Sequence, residues 1–130
     1  MKNSSVSIKL LSLLLLISIL PFASCNKKID LENFNPQDWR RDFNGCDGTR
    51  EILMNALGHI KPQLLGIQES QLVEILGKPN KQELGERVKK SYLYYIIPGK
   101  QCVFRKNETK ILVVDFDALD RVALFSIKIE

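Results

Sequence analysis

The chain has 130 residues, 45% of them hydrophobic and 26% charged, with a formal net charge of +4. That length accommodates one small domain with short appendages and excludes two independently folded ones. Lys2 and Lys9 precede the domain, so without residues 1–24 the balance is 17 basic against 15 acidic residues, net +2. So slight an excess excludes the large unopposed basic face of a nucleic-acid binder.

Residues 1–25 read as a removable export segment. Lys2 and Lys9 flank its start, Leu10 to Leu20 is apolar except for Ser12 and Ser18, and Pro21-Phe22-Ala23-Ser24-Cys25 follows. Charge, short apolar run and small residues are the three parts of a secretory signal. At roughly 11–15 residues the run is short for a bilayer span, which takes about 20. Cys25 resembles the acceptor in the lipobox of bacterial lipoproteins, with Phe22 where Leu is usual. The resemblance implies cleavage between Ser24 and Cys25 and a thiol carrying diacylglyceryl, with palmitate-type chains.

With Cys25 assigned to lipid, Cys46 and Cys102 remain. In an oxidising compartment the simplest expectation is one disulfide; the alternative is two buried free thiols. The bridge would close a loop of about 57 residues and constrain the unfolded chain by roughly 4 kcal/mol. No metal site is expected, because no Cys-x-x-Cys exists and His59 is the only histidine.

Asn26 to Asn33 shows no sustained period and reads as a tether. Asn35-Pro36-Gln37-Asp38 is a helix start, with Asn as cap, Pro in the first turn and Asp at the positive end. A short helix through Trp39, the core anchor, and Arg41 ends near Asn44-Gly45. Asp47-Gly48-Thr49 opens a second helix whose apolar stripe is Ile52, Leu53, Ala56, Leu57 and Ile60, with Pro62 marking its end or exit. A third spans about Glu69 to Leu76, with Gln68 as cap, Ile67 and Leu72 as a hydrophobic staple, and Gly77 and Pro79 as stop signals. Beyond Asn80 the pattern changes to strands: Tyr92–Ile97, Gln101–Lys106, Ile111–Phe116 and Val122–Ile129, the last two joined by a turn at Asp117 to Asp120. The fold class is therefore α+β, with two or three N-terminal helices packed on one face of a three- to four-stranded antiparallel meander. Residues 1–24 are the signal, 25–34 the tether and 35–130 a single domain.

The stretch Leu65-Gly66-Ile67-Gln68-Glu69-Ser70-Gln71-Leu72-Val73-Glu74-Ile75-Leu76-Gly77-Lys78-Pro79-Asn80 is similar to a "G…V…LG.P" segment, with Tyr92-Leu93-Tyr94-Tyr95 and Val113-Val114-Asp115-Phe116-Asp117 following. Over residues 65–127 the chain resembles the small outer-membrane assembly lipoproteins of the SmpA/OmlA, BamE-like type. That resemblance implies a two-helix, three- or four-strand fold shared with secreted β-lactamase inhibitors. Gln68 departs from the family's Ser or Thr cap, and Phe34 to Ile60 has no counterpart in it. The motifs encode helix termination and strand packing, so fold carries over more safely than role.

The residues offer few sites for chemistry. No nucleophile elbow, nucleotide-binding glycine pattern or Cys-His pair occurs, so neither an enzyme nor a cofactor is expected. Asp115, Asp117 and Asp120 are read as strand-end and turn residues rather than calcium ligands. Arg87, Lys89, Lys90, Arg105, Lys106 and Lys110 form either a patch for anionic headgroups or a solvated edge guarded by lysines. Tyr92 and Tyr94 share one strand face, as either a partner surface or rings packed on the helices. The function expected is a non-catalytic envelope accessory that is lipid-anchored and binds a protein partner. An inhibitor of secreted enzymes is the alternative, and a small envelope enzyme is a third. Asn26 is not the Asp that retains lipoproteins at the inner membrane in enterobacterial-type sorting, so the expected address is the outer membrane, facing the periplasm.

Overall fold

Helix α1, Pro36–Arg41, begins where the sequence places it, with the Asn35 side chain accepting from the amides of Gln37 and Asp38. The computed structural model describes residues 27–85, 90–104 and 107–130. The signal segment, Ser24 and Cys25 included, lies outside them, as do Arg87, Lys89, Arg105 and Lys106.

Helix α2, Thr49–Leu64, carries Pro62 in its last turn. Its buried face is rotated from the expected stripe. Ile52 is 79% exposed, whereas Arg50, Leu57, Ile60 and Leu64 are buried. Positions 50, 53, 57, 60 and 64 recur at three- and four-residue steps, which is one helix face, and an arginine heads it. Helix α3, Glu69–Leu76, has the expected bounds, and Ile67 and Leu72 are both buried. Gln68 does not cap it through its side chain. Instead the backbone pairs across: Gln68 bridges Arg121, and the Glu69 amide donates to the Asp120 carbonyl at 2.9 Å.

Strands β1 (Lys81–Leu84), β2 (Lys90–Tyr95), β3 (Lys110–Phe116) and β4 (Val122–Ile129) form one antiparallel sheet in the order β1-β2-β3-β4. The strand expected at Gln101–Lys106 is corrected: the described residues 101–104 form a turn, held by Cys102 N–H donating to the Gly99 carbonyl at 3.0 Å. The fourth strand is β1, whose residues are all exposed. It pairs with β2 mainly through backbone, with Lys81 over the Tyr95 ring, so its sequence carries no apolar alternation to read. The bundle side of the sheet presents Tyr92, Tyr94, Leu112, Val114, Phe116, Val122 and Phe125 to the helix residues Trp39, Leu57, Ile60, Leu64, Leu72 and Leu76.

One further departure and one expectation that is met, the disulfide, concern the N-terminal half. The described part of the expected tether is tied down rather than loose. Ile29 and Leu31 pack on the core and Phe34 is buried within it, while Asp30 and Gln63 exchange two hydrogen bonds. The disulfide Cys46–Cys102 forms, joining partners 56 positions apart. It pins the α1–α2 loop to the loop after β2, beside Gly45. That glycine has φ +65°, and a Cβ there would stand 2.8 Å from the Tyr95 carbonyl oxygen, so backbone approach as well as conformation demands glycine.

Candidate functional site

The tyrosines expected as a partner surface are core residues. Tyr92 is 6% exposed and Tyr94 fully buried. The alternation of β2 puts both rings on the helix side, where Tyr92 meets Phe116 edge-on at 4.8 Å and the Tyr94 hydroxyl donates to the Gly77 carbonyl at 3.1 Å. Burial pushes the Tyr94 phenol well above its ordinary pKa.

The expected cationic patch is not assembled by its two described members. Lys90 shares the helix side with Tyr92 and bonds Glu69 at 2.5 Å and Asp120 at 2.6 Å, its ammonium lying over the Phe116 ring. Burial lowers its pKa, but the hydrogen bonds to Asp120 and Glu69 outweigh that and leave it raised. Lys110 stands at the far end of the sheet, six strand positions or about 20 Å away. The aspartates divide similarly. Asp115 accepts from the Ser91 hydroxyl and Asp120 pairs with Lys90. Asp117 accepts from the amides of Leu119 and Arg121 and from the Arg121 guanidinium, closing the β3–β4 turn. His59 lies on the exposed side of α2.

One polar cluster is fully inside and was not anticipated. Arg50, with no exposed surface, donates from Nε to the Trp39 carbonyl and from Nη1 to Asn80 Oδ1 and the Tyr95 carbonyl, each at 3.0 Å. Its guanidinium lies 4.9 Å from the Trp39 ring centre and 5.7 Å from that of Tyr94. Asp42, also buried, accepts from the amides of Asp47 and Arg50. It thus does for the start of α2 what a local cap would do. Burial lowers the Arg50 pKa to about 10, opposed by the Asp42 carboxylate, so the group is a cation at neutral pH. The signal for this cluster was an arginine on the apolar repeat of α2.

The surface most open to a macromolecule is strand β4. It is an edge strand of eight residues, and Leu124, Ile127 and Ile129 are 54%, 45% and 60% exposed. Beside it a cavity of about 200 Å³ opens between α2 and the sheet, lined by Met54, Leu57, Lys61, Leu112, Phe125 and Ile127. Lys61 arches over the Phe125 ring at 5.7 Å. At Gly58, also in the lining, a Cβ would meet nothing within 4 Å, so the missing side chain widens the mouth. The start of this edge is covered, since Val122 pairs with Gly66 and Ile67 and the Phe125 carbonyl accepts from Lys61. The outward backbone at Ile127 and Ile129 is the part that invites another strand, and proteins ordinarily guard such edges. A second apolar feature is the loop tip Val103-Phe104, 92% and 90% exposed next to the disulfide. Among the described residues no helix is long and apolar enough to cross a membrane.

No family model, no curated protein and no solved structure matches this chain.

Proposed function

We propose that this protein is a lipid-anchored envelope accessory that uses strand β4 to hold a protein partner. The observation that carries the reading is the apolar β4 edge with its adjoining groove, because it supplies both backbone pairing groups and side-chain pockets. Those are the two elements of strand-addition recognition. The export segment ending at Cys25 and the Cys46–Cys102 bridge support an extracytoplasmic site. The exposed Val103-Phe104 tip, followed in sequence by Arg105 and Lys106, supports bilayer contact by the anchored domain. Outer-membrane residence facing the periplasm, and kinship with the BamE-like lipoproteins, belong to the same proposal. An inhibitor on this fold would need an exposed aromatic sheet face, and that alternative finds less support, since the large exposed apolar residues of β4 are aliphatic.

The test places a photo-reactive residue at Ile127 or, on the opposite sheet edge, at Gln82 in the full-length protein within intact cells. The reading expects one discrete adduct from Ile127, none from Gln82, and a product whose intact mass carries acyl chains. Absence of a β4 adduct would overturn the docking surface, and a retained Met1 would overturn the anchor.

A further inference from the structure

A second cavity, of about 210 Å³, lies against the Arg50 cluster. It is lined by Arg40, Phe43, Arg50, Leu76, Gly77 and Lys78. Three of these six residues are cationic and none is acidic. Arg50 Nη2 is buried and has no hydrogen-bond partner among the described residues, although Nε and Nη1 are both occupied. An orphaned guanidinium donor inside a protein is costly, and natural structures rarely leave one without reason.

We infer that this cavity binds a monoanionic carboxylate carried on a small apolar body, with Arg50 Nη2 as the buried donor. The Lys78 ammonium supplies the second charge at the rim. The half-exposed Phe43 ring and Leu76 supply the apolar wall.

The choice of a carboxylate follows from what surrounds the cavity. It opens at the C-terminal end of α3, where helix carbonyls concentrate negative potential. Two of those carbonyls are already occupied: Arg40 Nη1 donates to the Glu74 carbonyl at 2.6 Å, and the Tyr94 hydroxyl takes that of Gly77. That removes much of the repulsion toward one negative charge and leaves too little donor capacity to desolvate a dianion such as phosphate. Gly77, with φ +74°, lets the Arg40 stem lie directly over the turn; a Cβ there would stand 2.8 Å from Arg40 Cγ. The cavity is below the range of drug-sized pockets and suits a group about as large as benzoate. The inference is independent of the β4 reading, since the two surfaces share no residue.

Trp39, the only tryptophan, stacks on Arg50 and reports on its charge environment. Titrating purified full-length protein with benzoate should change Trp39 emission saturably, with a dissociation constant on the order of 1 mM. Benzyl alcohol, the neutral counterpart, should give no saturable change, and inorganic phosphate should bind more weakly than benzoate. Lys78→Gln should weaken benzoate about fivefold, and Phe43→Ala should weaken benzoate more than acetate. Both positions are outside the core, so neither result depends on rescuing a damaged fold. The inference is overturned by a flat benzoate titration, by equal binding of benzyl alcohol, by tighter binding of phosphate, or by Lys78→Gln leaving benzoate affinity unchanged.

Discussion

Two polar clusters fasten the helices to the sheet, one at each end, and they differ in how much water reaches them. At one end Arg50 spends Nε and Nη1 on the backbone of Trp39 and Tyr95 and on Asn80, buried against the Trp39 and Tyr94 rings. At the other, Lys90 joins Glu69 on α3 to Asp120 in the β3–β4 turn, but the Asp120 side chain is 61% exposed. A similar count of charge-assisted bonds therefore carries different weight. The buried cation cannot be removed without stranding its partners, whereas Lys90, half-buried and paired with an exposed Asp120, is more readily replaced by water and salt.

The largest expected effect is at Arg50. Arg50→Ala leaves the Trp39 and Tyr95 carbonyls without their donor and opens a void beneath the ring, and should cost about 4 kcal/mol. Urea unfolding at low and high salt should give nearly the same loss, because Arg50 itself has no exposed surface. A loss under about 1 kcal/mol, or one that salt abolishes, would erase the distinction between the two ends. Next comes the disulfide, which reinforces the same end by pinning the Asn44–Asp47 turn. Gln101 Nε2 already donates to the Asn44 carbonyl at 2.9 Å. The Cys46→Ser, Cys102→Ser double variant should lose about 3 kcal/mol, largely through a freer unfolded chain. Calorimetry with and without reductant on the parent protein measures the same quantity.

Lys90 should matter less. Lys90→Met keeps the stem over Tyr92 and Phe116 while deleting the charge, and should cost about 1 kcal/mol at low salt and less at high salt. Its pH signature is distinct. The folded-state pKa is raised above 10.5, so the Lys90 contribution is complete below that value and is lost as pH climbs through the folded pKa. Tyr94 has the same sign, because burial raises its phenol above 10.0 and favours the neutral form in the fold. The Lys90 and Tyr94 contributions therefore fall from about pH 10 upward, while Arg50, lowered to about 10 by burial, contributes with the opposite sign. The readout is the difference between the two proteins, stability falling less steeply, or rising more, in Lys90→Met than in the parent. Identical alkaline limbs for the two proteins would remove Lys90 from that transition.

The difference between the ends also explains what was legible beforehand. Asn35 capping, the bounds of α3, and β3 and β4 are set by neighbours in sequence, so local pattern revealed them. The Cys46–Cys102 bridge followed from arithmetic once Cys25 was set apart. Arg50 and Asp42 were missed because their burial is decided by Asn80 and the β2 backbone, far along the chain, and polar residues carry no inward signal of their own. Strand β1 was missed for a related reason: Lys81 to Leu84 is exposed throughout and exists only as a pairing partner for β2. The tyrosine pair was ambiguous because alternation says that Tyr92 and Tyr94 share a face, not which face the helices cover.

The smallest expected effect is a gain, and it is available at only one end. Gln68 has the extended backbone of a helix cap, φ −70° and ψ 151°, yet its side chain bonds no first-turn amide. The Asp120 carbonyl serves Glu69 alone, so a short hydroxyl at position 68 finds the amides of Ser70 and Gln71 within its usual reach. Gln68→Ser should raise stability by about 0.5–1 kcal/mol, read as a shift in the urea midpoint with unchanged slope. The same change at Gly48, the corresponding position of α2, should lose stability. Its φ of 76° strains a side chain, and Asp42 already occupies the Arg50 amide, one of those that a new cap would seek. A gain at both positions would mean that Asp42 is not the cap of α2, and the Arg50 end would lose the feature that sets it apart.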